Sequence, residues 1–523
     1  MRSTFMGLEA SKRGLFTQQT ALYTTGHNIS NANTLGYSRQ RVNMQATQGF
    51  PQAGLNQPNY PGHLGTGVEA GSIQRVRDEF VDRQFRQETN KLGYWEARSN
   101  AISQMEDIMD EPSLYGLNAA LEQFWKGLQD VSTNPENMAS RKVAMQRADH
   151  LAESFRYMDK QLRTIQGNIG NEINVATNRI NSLLKQIAAI NKQVQEVEPN
   201  GHVPNDLYDA RDVLIDELNN YIPVSIKRVP SGGNASAVAE GSLTVVIKPF
   251  GTDKEIELVN GRDFATIEVN GTVGSKQIDG NDLSSVFSSI QVNGLDGTTE
   301  SISYDQLEPG KGKLLSLIDS YGYAEKDING NVIGTKGYYF EMLADLDDLA
   351  AEFAKVFNDK HKEGYDLTGN QDKALDFFIK EDGGTKITAG NIKLNQVFID
   401  DPSKFAASSK PNEEGNGKMA LELANLQSKT QTGLDGATFN SFYQGMIGKL
   451  GTDGEEAYRL NMTSEKLLVT LSGNRASVSS VSLDEEMTNM ITFQQAYNAN
   501  ARMITVVDET LDKIINGMGR VGL

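Results

Sequence analysis

The sequence predicts an α+β multidomain protein with long coiled-coil-like terminal helices, an α-helical rod domain and inserted, mostly β domains. Three observations predict this fold class. Seven-residue apolar repeats lie near both ends of the chain and in its middle, which is typical of long helices. The apolar period shortens toward 2 between residues 221 and 336, as it does in strands. Only 38% of the 523 residues are apolar, which suits several domains with much surface better than one large core.

Residues 3–31 are predicted to form the first helix. A seam residue recurs every seven positions, at Leu8, Leu15, Leu22 and Ile29. This spacing marks a helix with one narrow apolar seam. The second seam position of each repeat holds Lys12, Gln19 and Gly26. We therefore expect this helix to need a partner.

The stretch "NISNANTLGYSRQ" is predicted to end this helix. Asparagine stops helices because its short amide bonds nearby backbone and tolerates the left-handed region. Asn28, Asn31 and Asn33 crowd into six positions, and Gly36 and Tyr37 then lead into an extended segment. We expect the amides to satisfy backbone groups in a turn made among close-packed neighbouring subunits.

The middle of the chain holds a third seam, which predicts the backbone of a helical rod. Its members alternate in steps of four and three: Ile169, Ile173, Ala176, Ile180, Leu183, Ile187, Ile190, Val194 and Val197. We interpret this seam as intramolecular core, as most apolar stripes are. Further helices are predicted at 78–110, 117–130, 136–166, 206–219, 340–358, 418–427 and 439–475.

Two insertions are predicted between the helices. Residues 221–336 contain short alternating runs such as "GSLTVVIKPF" and "FATIEVNGTV", separated by Asn-Gly turns, which indicate a β-domain. Residues 363–415 are rich in Gly, Asp and Lys, with strand-like pieces in "TKITAGNIKL" and "NQVFID". We interpret them as a second, smaller insertion.

The last helix is predicted over residues 483–516, about 50 Å long at 1.5 Å per residue. From Leu483, seam positions follow in steps of four and three: Met487, Met490, Gln494, Tyr497, Ala501, Ile504, Asp508, Leu511 and Ile515. Ser482 as N-cap with Glu485 three residues later predicts a capping box.

The two terminal helices are predicted to pair. Residues 1–45 carry five Arg or Lys against one acid, whereas residues 478–523 carry six acids against three bases. Each helix alone buries too little to stay folded, so we expect termini that are mobile in the monomer and order on assembly. The predicted domains are 1–45 with 480–523 (paired terminal helices), 46–220 with 337–362 and 416–479 (rod), 221–336 (β-domain) and 363–415 (second insertion).

Catalytic patterns are missing from the sequence. The five histidines are scattered, and neither a P-loop nor a G-x-S-x-G elbow occurs. The chain has no Cys, which excludes disulfides, thiolate metal sites and cysteine nucleophiles. We therefore predict no enzyme, no catalytic residues, no cofactor and no metal site.

Charge and hydropathy restrict the partners and the route of the chain. The formal charge of −18 argues against nucleic acid and anionic membrane as partners. No window approaches 18 consecutive apolar residues, and the N-terminus lacks the apolar region of a signal peptide. If the protein leaves the cell, we expect a route that does not use such a peptide.

Two stretches carry a family resemblance. "NISNANTLGYSRQ" followed by "GTGVEAGSIQRVRDEFVDRQFR" (65–86) resembles the N-terminal signature of the flagellar rod, hook and hook-associated axial proteins. "VSLDEEMTNMITFQQAYNANARMITVVDETLDKIINGM" (481–518) resembles their C-terminal signature, and "NDLYDARDVLIDEL" after a long helix adds to the likeness. Where the family usually has Pro, this chain has Leu35, which leaves the turn to Asn33 and Gly36.

The resemblance implies a structural, self-assembling protein of the bacterial flagellum, located in a junction zone between hook and filament. It implies export by the flagellar type III system, without a cleaved signal peptide, to a secreted, extracellular position. The implied partners are copies of the chain in a helical or ring assembly, the hook protein, a second junction protein (hook-associated protein 3) and an export chaperone that binds the C-terminal helix.

The terminal helices would form the inner tube of this assembly. The predicted assembly residues are Leu8, Leu15, Leu22, Ile29, Asn28, Asn31, Asn33, Gly36, Tyr37, Met487, Met490, Gln494, Tyr497, Ile504, Leu511 and Ile515. Two alternatives remain. One is another axial subunit, of the hook or the filament. The other is a surface adhesin or enzyme on a flagellar scaffold, which neither insertion supports with a catalytic constellation.

Overall fold

The structure is a computed structural model. It describes residues 5–50, 64–109, 116–271, 286–295, 297–326, 332–371, 375–381 and 386–517.

Helices dominate the described residues. They are α1 (Phe5–Ser30), α2 (Glu79–Met109), α3 (Leu117–Thr133), α4 (Met138–Val197), α5 (Asn205–Tyr221), α6 (Lys313–Tyr321), α7 (Tyr338–His361), α8 (Gln396–Asp400), α9 (Lys418–Ala424), α10 (Phe439–Ser479) and α11 (Leu483–Gly517). With 60 residues, α4 is about 90 Å long at 1.5 Å per residue. The predictions for the first helix and for the helices at 78–110, 206–219, 439–475 and 483–516 are confirmed to within a few residues at each end.

The strands of the described residues form four sheets. They are β1 (Gln40–Ala46), β2 (Val68–Arg75), β3 (Ser225–Val229), β4 (Ser242–Ile247), β5 (Ile256–Asn260), β6 (Asp263–Phe264), β7 (Thr266–Gly271), β8 (Phe287–Asn293), β9 (Thr299–Ser303), β10 (Tyr323–Lys326), β11 (Val332–Lys336), β12 (Phe378–Lys380) and β13 (Ile392–Leu394). β1 and β2 form an antiparallel hairpin, β3 to β6 an antiparallel sheet in chain order, and β12 pairs with β13. The largest sheet has the order β11-β10-β8-β7, with β9 also on β8 and a parallel pairing between β8 and β10.

One continuous apolar core centres on α4. Phe124 and Trp125 of α3 pack there against Phe353 and Phe357 of α7, with ring centroids 5.4 Å apart for Phe124 and Phe357 and 5.7 Å apart for Trp125 and Phe353. β4, β5 and β7 lie against the same helix. The strands of the first insertion therefore share a core with the rod helices.

Two predicted helical segments are a single helix. Residues 136–166 and 169–197 both belong to α4, which continues through Gly167 and Gly170. Both glycines are buried, so they lie where other elements pack closely on the helix. A glycine inside a helix weakens it by about 1 kcal/mol, and the packing of α4 outweighs that cost.

One helix inside the first insertion was missed, and one sequence interpretation inside the second insertion is wrong. α6 lies within residues 221–336, the insertion that is predicted to be mostly β, and no helix is predicted there. Every residue of α6 from Leu314 to Tyr321 is buried, so it has no solvent-facing side that would reveal a helical period. The strand-like "NQVFID" forms α8, whose start is capped by Asn395 Oδ1 accepting from the Val397 amide at 3.2 Å. Period alone cannot distinguish a strand from a helix in so short an apolar run.

Candidate assembly site and its connection to the rod

The terminal helices α1 and α11 pack against each other in antiparallel orientation. Gly14 faces Asn500 at the middle of α11, and Asn28, near the end of α1, contacts Glu486 near the start of α11. A Cβ on Gly14 would lie 2.8 Å from Asn500 Oδ1. The helices therefore approach closely because the residues between them are small.

The buried side of α1 differs from the predicted seam. Its buried residues are Gly14, Thr17, Ala21, Thr24, Thr25 and Asn28. The predicted Leu8, Leu15, Leu22 and Ile29 are only half-buried. The reason is that α1 is packed from two directions, by α11 and by the β1–β2 hairpin. Thr17 Oγ1 donates to the Val68 carbonyl of that hairpin at 3.1 Å.

The seam of α11 is rotated relative to the prediction. The predicted Met490, Tyr497, Ile504 and Leu511 are half-buried, together with Phe493, Asn500 and Val507, which sequence reasoning missed. The predicted Met487, Gln494 and Ile515 are exposed. The missed residues also recur every seven positions. This repeat could have been found in the sequence, but the polar Asn500 interrupts its apolar pattern.

Asn28 joins three elements at the end of the helix pair. It is 1% exposed, and its Nδ2 donates to the Gln40 carbonyl at 2.8 Å and to Glu486 Oε2 at 3.1 Å. Its Oδ1 accepts from the Gln40 amide and from the Tyr37 hydroxyl, both at 2.9 Å. All hydrogen-bonding positions of this amide are thus occupied, by the start of β1, the turn and α11.

The other asparagines of the turn have smaller roles. Asn31 Nδ2 donates to the His27 carbonyl at 3.1 Å, which closes the last turn of α1. Asn33 is exposed. The expectation that amides satisfy turn backbone therefore holds for Asn28 and Asn31, with partners inside the same chain.

Gly36 and Tyr37 lie where the turn packs against α5 of the rod. Gly36 has φ +79°, and a Cβ there would collide with the Val213 side chain of α5. Burial raises the pKa of Tyr37 far above its usual value, and Asp206 and Asp209 add to this shift. The phenol therefore stays protonated and can donate to Asn28. The turn packs directly on α5 as a result.

Arg39 ties the turn to the start of α11. Its Nε donates to Glu486 Oε1 at 2.8 Å and its Nη1 to Glu485 Oε2 at 2.7 Å. Its backbone amide donates to the Ser479 carbonyl, at the end of α10, at 2.8 Å. Glu485, predicted to complete a capping box with Ser482, therefore bonds across the chain to Arg39. Sequence reasoning missed this contact because 446 residues separate its partners.

Large apolar side chains remain exposed on both terminal helices. On α1 they are Phe5, Phe16 and Tyr23, and on α11 Leu483, Met487, Ile491, Met503, Val506, Ile514 and Ile515. Tyr23 is 76% exposed and Ile515 71%. Contiguous exposed apolar surface marks contact sites for other proteins.

Among the described residues, no group of three or more His, Asp or Glu side chains could hold a metal ion. None of the described helices combines the length and hydropathy needed to cross a membrane. Asp366, whose surroundings superficially suggest a calcium loop, accepts from Thr368 and Asn370 within its own turn.

These features define a class of structural protein: a subunit whose two chain ends pair as long helices, joined by a polar turn to a helical rod. Comparisons with known proteins agree. Residues 102–378 match the family described as the flagellar hook-associated protein FlgK helical domain, and residues 474–517 match the flagellar basal body rod FlgEFG protein C-terminal family.

The relatives cover the whole chain. It is 40% identical over 523 residues to flagellar hook-associated protein 1 of Bacillus subtilis (strain 168), covering 99% of both chains. It is 24% identical to flagellar hook-associated protein 1 of Escherichia coli (strain K12), covering 96% of this chain and 98% of that one. The chain belongs to the flagellar hook-associated protein 1 family, a family of structural flagellar proteins.

A solved structure shares the fold. The flagellar hook junction protein FlgK from Burkholderia pseudomallei aligns with a TM-score of 0.58 at 14% identity, over 76% of this chain and 100% of that one.

Proposed function

We propose that this chain is a structural component of the junction zone between the flagellar hook and filament. Copies of it would assemble through the terminal helices α1 and α11. The observation that carries the proposal is the pair of helices with large apolar side chains on their exposed sides, in a chain 40% identical to a hook-associated protein 1.

The exposed residues favour a second copy of the chain as the first partner. α1 presents Phe16 and Tyr23 seven residues apart, and α11 presents Met487 and Ile491 one turn apart. A surface on one helix that packs on a different surface of its neighbour makes a head-to-tail contact, which builds rings or helical filaments. In such an assembly, the half-buried residues of the predicted assembly set on α1 and α11 would contact the other terminal helix of the same copy. The exposed residues of the set would contact a neighbouring copy.

Charge supports this arrangement. Within α1 two bases, Lys12 and Arg13, oppose Glu9, whereas α11 carries six acids and two bases. The helices therefore have opposite net charge, +1 and −4 by this count. Opposite charge favours contact between α1 of one copy and α11 of the next, and disfavours contact between two copies of α11.

The remaining assignments belong to the same proposal. The protein would pass through the flagellar type III route, held by an export chaperone on its C-terminal helix, and would contact the hook protein and hook-associated protein 3. The predicted division at residues 45, 221, 337, 363, 416 and 480 would separate the inner helices, the rod and the two insertions.

Removing α11 tests the assembly role. Cells that express the chain without residues 483–523 should lose motility and release filament subunits into the medium, because filament growth would have no base. Cells that keep normal filaments would contradict the proposal.

A point-variant series tests the exposed surface itself. Met487→Glu, Ile491→Glu and Val506→Glu together should prevent incorporation into isolated flagella, because each places a charge in an apolar contact. The matched control is Thr488→Glu, Thr505→Glu and Thr510→Glu, which adds the same charge to exposed polar positions of the same helix. If both triple variants incorporate equally, the apolar surface does not mediate assembly.

Labelled antibody on isolated flagella separates the junction role from the alternative of a hook or filament subunit. A band confined to the boundary between hook and filament supports the junction. Label along the whole hook or the whole filament would identify the chain as another axial subunit.

A further inference from the structure

Five arginines and five carboxylates form a network between the terminal helices and the rod, which we call the joint network. Its members are Arg75, Arg77, Arg86, Arg211, Arg475, Asp82, Asp209, Asp212, Asp216 and Glu240. They come from the end of β2 and the loop after it, from α2, α5 and α10, and from the loop before β4. The ten charges cancel.

Arg75 is the centre of the network. Its Nη1 donates to Asp209 Oδ1 at 2.6 Å and to Asp212 Oδ2 at 2.8 Å, and its Nη2 donates to Glu240 Oε1 at 2.5 Å. The Asp209 carboxylate also accepts from the Ser38 amide at 2.9 Å. This single arginine therefore connects the β1–β2 hairpin with α5 and with the first insertion. Through Asp209 it is also linked to the turn after α1.

A second set of contacts includes α10, the helix that leads into α11. Arg77 donates to both oxygens of Asp82, at 2.8 and 3.0 Å, and to Asp212 at 2.9 Å. Arg475 of α10 contacts Asp82 at 2.8 Å and Asp216 at 2.7 Å. The segment that follows the β1–β2 hairpin and the end of α10, which leads into α11, are thus both bonded to Asp82.

The centre of the network is buried, and its Asp212 carboxylate is ionised. The side chain of Arg75 is 3% exposed and that of Asp212 11%. Burial alone would raise the pKa of Asp212, but Arg75 and Arg77 lower it well below its usual value. The contacts are therefore charge-assisted hydrogen bonds, which are strong and directional.

The apolar core borders the joint network along α5 and β4. Ile215 of α5 and Leu243 of β4 belong to the continuous cluster of buried apolar residues and lie close in the chain to Asp212, Asp216 and Glu240. Buried ion pairs contribute less net stability than apolar residues of the same volume, but in some proteins they select one geometry among several. Here the directional contacts add a defined geometry at the border of apolar packing, which is itself non-directional.

We propose that the joint network is a conformational lock. It fixes the direction of the terminal helix pair relative to the rod and holds the loop before β4 in the same rigid unit. A subunit with this lock presents its terminal helices at one angle before it meets a neighbour. The proposal does not depend on the junction role, because it concerns the single chain.

Hydrogen exchange of the purified full-length protein tests the lock. Asp212→Asn keeps the shape of the side chain but removes the charge that three arginines share. We expect exchange about tenfold faster in residues 36–46 and 483–490, with exchange of α3 unchanged, because α3 lies in the apolar core. Unchanged exchange in residues 36–46 and 483–490, or equal acceleration in α3, would overturn the proposal.

Two further variants complete the experiment. Arg179→Gln removes an exposed bidentate pair with Glu217, between α4 and α5 at 2.6 and 2.7 Å, and should leave the joint unchanged. If Asp212→Asn does not fold, Arg475→Gln replaces it, since this side chain lies at the rim and is 19% exposed. It should accelerate exchange at 483–490 about threefold, and no acceleration there would refute the lock.

Discussion

At the scale of single residues, the polar side chains of the terminal region are more informative than the apolar ones. Asn28 is buried with four hydrogen bonds to three separate segments. A helix stop needs only one asparagine at an exposed position. Asn28 therefore holds the geometry of the turn, whereas Asn33 in the same stretch is exposed.

Replacing Asn28 by alanine should open the turn. The amide and carbonyl of Gln40 lose their partners, and unsatisfied buried groups cost about 2 kcal/mol. That cost corresponds to a roughly thirtyfold faster exchange of the Gln40 amide, at 1.4 kcal/mol per factor of ten. Asn33→Ala is the matched control and should change this exchange less than twofold. Equal effects of the two variants would show that Asn28 does not hold the geometry of the turn.

A buried histidine of the rod predicts a pH dependence. Burial lowers the pKa of His361 from 6.5 to about 3, with a smaller contribution from Lys362, and its Nε2 accepts from the Ala406 amide at 3.0 Å. The folded protein therefore binds the proton more weakly than the unfolded chain. The contribution of neutral His361 to the free energy of unfolding is fully present above pH 6.5. It falls as the pH drops below 6.5, by up to about 1.4 kcal/mol per pH unit.

His361→Gln removes this dependence, because glutamine does not titrate. Between pH 7 and pH 5 the unaltered protein should lose about 2 kcal/mol more unfolding free energy than the variant. Urea titrations followed by tryptophan fluorescence measure the difference, and the exposed His150→Gln is the control. If the variant loses as much stability as the unaltered protein, His361 is charged when folded and the argument fails.

At the scale of elements, the sequence predicts long helices well and their faces poorly. The extent of α11 follows from its period, which many residues repeat. The buried side of α1 was missed because Gly14, Ala21 and Asn28 recur every seven residues without apolar bulk. α6 was missed for the opposite reason, since burial on all sides leaves no period at all. Contacts such as Arg39 with Glu486 depend on distant segments and leave no local pattern.

Two glycine substitutions distinguish the elements they lie in. Gly36→Ala should weaken the docking of the turn on α5, because φ +79° strains any side chain and the new Cβ meets Val213. The left-handed backbone alone costs about 1–2 kcal/mol. Gly26→Ala should instead stabilise α1 by up to about 1 kcal/mol, because nothing lies within 4 Å of the new Cβ.

Amide exchange of residues 31–40 for Gly36→Ala, and of α1 for Gly26→Ala, measures both effects in the monomer. The two variants add the same atoms to the same half of the terminal region, so each serves as the control of the other. Slower exchange in both would mean that the turn tolerates a side chain and that its docking on α5 is loose.

At the scale of the whole molecule, stability is graded from the rod to the chain ends. The rod has a continuous apolar core around α4. The connection to the terminal helices is polar, and among the described residues of α11 only Glu486 is buried. Two helices attached in this way are anchored at one end and weakly held at the other.

Limited proteolysis of the monomer should therefore trim both ends and then stop. Cleavage is expected first in the far halves of the pair, near residues 5–14 and 500–517, where few contacts oppose local opening. It should slow at the turn and at the start of α11, where Asn28, Arg39 and Glu486 bond to one another. The expected product is a stable fragment that begins before Asn28 and ends beyond Glu486, identified by mass spectrometry.

The same digestion of isolated flagella shows whether assembly orders these helices. Under the proposed function, neighbouring copies cover the exposed Phe16, Tyr23 and Met487, so the ends should resist cleavage by more than tenfold relative to the monomer. Resistant ends in the monomer would mean that the pair is stable alone. Ends cut equally fast in both states would mean that the terminal helices are not the contact between subunits, whatever the position of the chain in the flagellum.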